Sequence, residues 1–102
     1  MQVISVSELK ARLDANEEIN LVDVREPHEH AEFNIGGTLV PLGKITSMMI
    51  DDIEELKDKE VICYCRSGNR SMQASLMLET FGFSNVKNLT GGMLEWQATF
   101  NS

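Results

Sequence analysis

Val61-Ile62-Cys63-Tyr64-Cys65-Arg66-Ser67-Gly68-Asn69-Arg70-Ser71 is the stretch from which the rest of the chain is read. An apolar, β-prone run ends at Cys65, a polar loop with one glycine follows, and helical periodicity begins beyond it. The order is strand, tight loop, helix, with a thiol where the strand stops. The first free N–H groups of a helix point back into such a loop, and the helix N-terminus carries partial positive charge. Arg66 and Arg70 bracket the loop with two full charges. Each effect favours thiolate over thiol, and the thiolate is the form that reacts. Cys65 is the expected nucleophile.

Outward from this stretch, strands and helices alternate. Val3-Ile4 starts a strand, and Ser5 or Ser7 caps a helix with Leu9 and Leu13 on one face, ending near Asp14–Asn16. Residues 19–24 form a mostly apolar strand, suited to burial on both faces, with Asp23 and Arg25 at its end. Pro27 suits the first turn of a short helix that runs to about Phe33. Gly36-Gly37 breaks the chain before a third strand, Thr38 to Val40, which Pro41 stops. Asp51 with Glu54, or Asp52 with Glu55, forms a capping-box pattern opening a short helix with Ile53 and Leu56 inward. Glu60 to Tyr64 delivers Cys65. The helix from Asn69 to Phe81 carries a broad apolar arc of Met72, Ala74, Leu76, Met77, Leu78 and Phe81, stopped by Gly82. Val86 to Leu89 is a last strand, and a final helix from Met93 to Phe100 places Trp96 on its apolar side.

This alternation predicts an α/β domain with a mainly parallel sheet. Ligands of such sheets bind beyond the C-terminal ends of the strands. Asp23-Arg25 and Cys65–Arg70 both fall at such ends, so two separate segments point to one rim.

The 102 residues are read as one domain with a modest core. A net charge of −7 argues against general binding to nucleic acid or anionic membrane. The two cysteines form C-x-C, whose disulfide ring is too small to staple a fold. No signal peptide or membrane-spanning run is visible, so a reducing cytoplasm is the expected location, where Cys65 stays a thiol.

Three segments together resemble the single-domain rhodaneses, the thiosulfate sulfurtransferase family. Leu21-Val-Asp-Val-Arg-Glu-Pro-His-Glu29 is similar to the family's D-V-R-x-P-x-E. The Cys65-Arg-Ser-Gly-Asn-Arg70 loop is the second match, and Gly91-Gly92-Met-Leu-Glu-Trp96, like G-G-x-x-x-W, is the third. The resemblance implies a five-stranded parallel sheet flanked by helices on both faces, with Cys65 carrying a persulfide during turnover. It departs at Phe33-Asn34-Ile35-Gly36-Gly37-Thr38, where the family has G-H-I-x-G-A, and at His30, where an aromatic is usual. Loop length adds an independent argument. Cysteine phosphatases use C-x5-R, and C-x4-R here makes a tighter ring that suits one sulfur better than a tetrahedral phosphate.

The mechanism that follows is covalent. The Cys65 thiolate takes the sulfane sulfur of thiosulfate, sulfite leaves, and a thiol, dithiol or cyanide acceptor removes the sulfur from the persulfide. Arg66 and Arg70 would attract the anionic donor, and the N–H groups of Arg66, Ser67, Gly68, Asn69 and Arg70 would hold the persulfide charge. A thioredoxin-like protein is one candidate acceptor, and no cofactor beyond the persulfide is called for. Two other readings stand beside this one: a persulfide carrier loaded by a protein partner, and a non-catalytic binding or regulatory module.

Around the loop, the plainer roles are weighed residue by residue. Cys63, inside the strand, suits the core, with a resolving thiol as the alternative. Arg66 and Arg70 are either solvated or anion-binding, and Arg70 opposes the helix dipole unless an anion offsets it. Ser67, Gly68 and Asn69 either make the turn or bind substrate, with Gly68 supplying a left-handed conformation or a close backbone approach, and Ser71 is read as a helix cap rather than a substrate contact. Asp23 is either an acid/base or a structural carboxylate pairing with Arg25 or accepting loop N–H groups. Glu29, by resemblance, is a partner for Arg25. His28 and His30 are read as solvated helix residues because H-x-H with C-x-C fits zinc spacing poorly, so no metal site is expected. Trp96, Met72 and Met77 are assigned to the core.

Overall fold

The computed structural model describes residues 1–100. Five strands form one parallel sheet: β1 (Gln2–Ile4), β2 (Asn20–Asp23), β3 (Thr38–Leu39), β4 (Glu60–Tyr64) and β5 (Asn85–Leu89), in the order β1-β5-β4-β2-β3. Helices α1 (Val6–Asp14), α2 (Pro27–Glu32), α3 (Leu42–Thr46), α4 (Asn69–Thr80) and α5 (Gly92–Phe100) make the connections, with a 3-10 turn at Asp51–Leu56. The parallel sheet expected from the alternation, and the five strands with helices on both faces that the resemblance implies, are what is observed.

The pleat of β4 divides the core in two. Val61, Cys63 and Cys65 face a cluster with Val22, Val24, Val40, Ile45, Ile53, Ala74, Leu78 and Val86. Ile62 and Tyr64 face the opposite cluster with Ile4, Leu9, Leu21, Leu89, Met93 and Trp96. Helices α3 and α4 therefore cover one face, and α1 with α5 the other. Because β4 is central and buried on both sides, its last residue cannot slip register without turning both clusters inside out. That rigidity is what fixes the position of Cys65. At the other end of β4, Arg12 and Lys87 both pair with Glu60.

Ser5 is the cap of α1, in a reciprocal box with Glu8. The boxes expected at Asp51 or Asp52 do not form. That segment is a 3-10 turn entered from Ile50, with no side-chain cap, and its i→i+3 bonding leaves both aspartates exposed. Helix α4 also departs from the reading of its apolar arc. Ser71, Ala74, Ser75 and Leu78 face inward, whereas Met72 and Leu76 are 43% and 50% exposed. The phase of α4 is set where it begins, at the loop, and that start turns Ser71 toward the sulfur. Met72 is thus not core; Trp96 is buried and Met77 packs against the core edge.

Candidate active site

The loop after β4 is held from below by the start of α5. Met93 N–H donates to the Cys65 carbonyl and Leu94 N–H to the Arg66 carbonyl, both at 2.9 Å. Gly92 makes this approach possible: a Cβ there would lie 2.4 Å from the Cys65 oxygen and 2.6 Å from the Arg66 oxygen, at φ +56°. With those carbonyls bound to α5, the loop's N–H groups are left to face the sulfur. Gly68, at φ +106° and ψ −12°, makes the left-handed turn into α4. The motif Gly91-Gly92-x-x-x-Trp96 thereby acquires a physical role, with Trp96 anchoring the helix in the core and Gly92 letting its first turn touch the loop.

Cys65 Sγ accepts from Gly68 N–H at 3.0 Å and from Ser71 N–H and Ser71 Oγ, each at 3.4 Å. Burial pushes this thiol up, but the Ser71 hydroxyl and the N–H groups of Ser71, Gly68 and Ser67 pull it further down, to below the ordinary thiol value. Two strand residues earlier the balance is opposite. Cys63 is pushed up to about 12 by burial, against a weaker opposing hydrogen bond from Ser75. One cysteine is poised to ionise and the other is not.

Cys65 has no exposed surface. The loop wraps it, so the sulfur lies inside the ring of N–H groups. Ser67 and Asn69 are exposed, and Gly68 is buried beneath them.

The arginines divide their tasks differently from expectation. Arg70 makes a two-point bond to Glu29, 2.8 Å from Nη1 to Oε1 and 2.9 Å from Nη2 to Oε2. That pair holds the Glu29 carboxyl down at about 2 and raises Arg70. The charge that sat badly on the helix dipole is thus offset by a carboxylate of α2, with no substrate needed. Glu29 is the partner of Arg70 and not of Arg25. Arg25 instead binds Asp23 from its backbone N–H (3.0 Å), Nε (2.9 Å) and Nη2 (2.8 Å). Burial opposes ionisation of both members of this pair, and their mutual bonds outweigh it, lowering Asp23 and raising Arg25.

His30 Nδ1 lies 2.8 Å from Asp23 Oδ2, so this histidine belongs to the buried network and is not simply solvated. With its oxygens occupied by Arg25 and His30, Asp23 is a structural carboxylate. Arg66 makes no ion pair or side-chain hydrogen bond to the described residues. It lines a cleft of about 550 Å³ with Arg25, Glu29, Phe33, Met93 and Leu94.

Two residues at or behind the sulfur were left out of the site read from the sequence. Ser71 was read as a cap rather than a substrate contact, yet its N–H and hydroxyl both donate to Cys65 Sγ. Asn88, on β5, contacts Ser71 Oγ and donates to the Gly68 carbonyl at 3.2 Å. Its signal was weak: a carboxamide that shares the phase of Val86 in a strand, Asn85–Leu89, that also carries Asn85 and Lys87.

A thiol in a ring of amides at the C-terminal edge of a parallel sheet, closed by C-x4-R, defines a class. The chain belongs to the rhodanese-like family: residues 5–99 match the model of the Rhodanese-like domain. The Bacillus subtilis protein named "Putative sulfurtransferase YtwF" is 43% identical over 96 residues, covering 92% of this chain and 88% of its own. "Putative sulfur carrier protein YrkF" of the same organism is 33% identical over 94 residues, 91% of this chain and 49% of its own length. Among solved structures, a rhodanese-like domain protein from Staphylococcus aureus superposes with a TM-score of 0.83 at 30% identity, covering 94% of this chain and 91% of its own.

Proposed function

We propose that this protein is a sulfurtransferase that carries one sulfane sulfur as a persulfide on Cys65. The observation that carries this reading is the convergence on Cys65 Sγ of Gly68 N–H, Ser71 N–H and Ser71 Oγ, with the net effect of favouring the thiolate. The thiolate attacks the outer sulfur of thiosulfate or a related anionic donor. The S–S bond of the donor breaks, its electron pair leaves with sulfite, and Cys65–S–S⁻ remains. A thiol, dithiol or cyanide acceptor then takes the terminal sulfur and the Cys65 thiolate returns. The loop N–H groups hold negative charge in both states, in the manner of an oxyanion hole. Arg66, free of any partner among the described residues, is the cation left to meet the donor, while Arg70 with Glu29 braces the loop against α2.

A carrier role has one specific support, the similarity to a relative named as a sulfur carrier. On that reading a partner protein supplies the sulfur and thiosulfate is a poor donor. In either case the acceptor can be a protein thiol, with a thioredoxin-like dithiol as the first to try, and a reducing compartment keeps the nucleophile available.

One experiment tests the core of this reading. After incubation with thiosulfate, intact-protein mass spectrometry should show one added sulfur, mapped to Cys65 and absent from Cys65→Ser. Loading of Cys65→Ser, or no loading of the wild type by any donor, would overturn it. Faster loading from a protein persulfide than from thiosulfate selects the carrier.

A further inference from the structure

Asn88 is 1% exposed and points from β5 toward the start of α4, on the face also used by Val86. Its Nδ2 donates to the Gly68 carbonyl at 3.2 Å, and its Oδ1 lies in a short contact with Ser71 Oγ. The carboxamide cannot turn round, since that would set its oxygen against a carbonyl that only accepts. Asn88 Oδ1 therefore asks Ser71 for a proton.

Ser71 has one hydroxyl proton and three acceptors around it: Asn88 Oδ1, the Gly68 carbonyl at 3.2 Å and Cys65 Sγ at 3.4 Å. The Gly68 carbonyl already accepts from Met72 N–H and from Asn88. The contest is between Asn88 and the sulfur. While Cys65 is a thiol, its S–H can donate to Ser71 Oγ, and the Ser71 proton satisfies Asn88. When Cys65 ionises, the hydroxyl swings to the sulfur and leaves the buried Asn88 oxygen without a donor.

We propose that Asn88 is a positioning residue that competes with Cys65 for the Ser71 hydroxyl proton, so that Ser71 favours the thiolate and Asn88 opposes it. This deepens the reading of Cys65 as the sulfur-carrying nucleophile: the pair sets how readily the resting sulfur ionises. The other charged or titratable groups around Cys65 are Cys63 on β4, Arg66 in the loop, and Arg70 with Glu29 from α4 and α2. The neighbouring elements add the Asp23–Arg25 pair with His30 at the end of β2, Tyr64 on the opposite face of β4, and Glu95 beside Gly91, while Lys87 on β5 is held by Glu60 at the far end of the sheet. None of them changes in the variants below.

The test is the pH dependence of Cys65 alkylation by iodoacetamide in the full chain, followed by peptide mass spectrometry. Ser71→Ala should raise the midpoint and slow alkylation near about pH 6 by on the order of tenfold. Asn88→Leu should do the reverse, lowering the midpoint and speeding alkylation by on the order of threefold. In the Ser71→Ala background, Asn88→Leu should have no effect. An Asn88→Leu midpoint that rises or stays in place overturns the proposal, because loss of a merely structural bond would not lower it. Should Asn88→Leu fail to fold, the wild type decides. The Asn88 side-chain carbonyl resonance should then titrate with the alkylation midpoint and lose that titration in Ser71→Ala, and a flat resonance in the wild type overturns it. Sulfur loading is read separately, so its absence would sink the transfer reading while these pH profiles still judge the switch.

Discussion

The Arg70 guanidinium and the Glu29 carboxylate face each other in a two-point hydrogen bond, 2.8 and 2.9 Å long, that ties the first turn of α4 to α2. The pair links the helix that follows the Cys65 loop to the one that follows Asp23 and Arg25.

Its pH signature has a definite sign. Arg70 depresses Glu29 from 4.5 to about 2, so the pair's stabilisation is complete above the unfolded value and is lost as pH falls toward about 2. Arg70 is a third exposed, so solvent screening reduces the contribution to about 1 kcal/mol. Urea melts of wild type and Glu29→Gln should differ by this amount at pH 6, and the gap should narrow below about pH 4.5 and close only at about pH 2. A gap that persists unchanged at low pH would assign the loss to packing instead.

Gly92 is the point where α5 touches the loop. The alanine Cβ would sit 2.4 Å from the Cys65 carbonyl, with backbone on both sides and no flexible group to yield. Gly92→Ala should fold with a loss of about 1–3 kcal/mol and shift the Cys65 alkylation midpoint upward as the amides turn away. Thermal melts and iodoacetamide kinetics, measured on the same samples, check both halves.

Arg66 has no partner among the described residues and lies in the cleft beside the loop. On the proposed reading, Arg66→Ala should raise KM for thiosulfate by on the order of tenfold and leave the thermal midpoint nearly unchanged. The wild-type KM should also climb with ionic strength, and that climb should shrink in the variant. Equal salt dependence in both proteins would remove Arg66 from donor binding.

Cys63 and Cys65 are both buried, but burial pushes Cys63 up to about 12 while the loop donors hold Cys65 below the ordinary thiol value. In the native protein iodoacetamide should label Cys65 alone, and Cys63 only after denaturation. Cys63→Ala should cost about 1 kcal/mol in a denaturant melt while Cys65 still loads with sulfur. Labelling of Cys63 in the folded state would revive a resolving role for it.

The alternation of strands and helices, the parallel sheet and the position of Cys65 were legible because they rest on local signals, whereas the strand order β1-β5-β4-β2-β3 came from the structure. Apolar runs of strand length, caps such as Ser5, and glycines after α4 act over a few residues, and their alternation leaves few topologies. Asp23 with Arg25 was legible for the same reason, being two residues apart at a strand end. Glu29 with Arg70 spans 41 positions in sequence, and no local pattern states which arginine a carboxylate of α2 will meet. The inward face of α4 was misjudged likewise, because its phase depends on where the loop releases the helix. Met72 was taken for core and Ser71 for a cap, and the loop exchanged them.

By itself, then, the amino-acid order determined an α/β sheet with a thiol at the end of its central strand, since hydrophobic period and turn chemistry are short-range. Only the tertiary structure decided which hydrogen-bond donors meet that thiol and which charges are already matched. Ser71, Asn88 from β5 and the first turn of α5 come together around one sulfur through the packing of separate elements. Hydrogen bonds between them exist only once that packing has closed the distance.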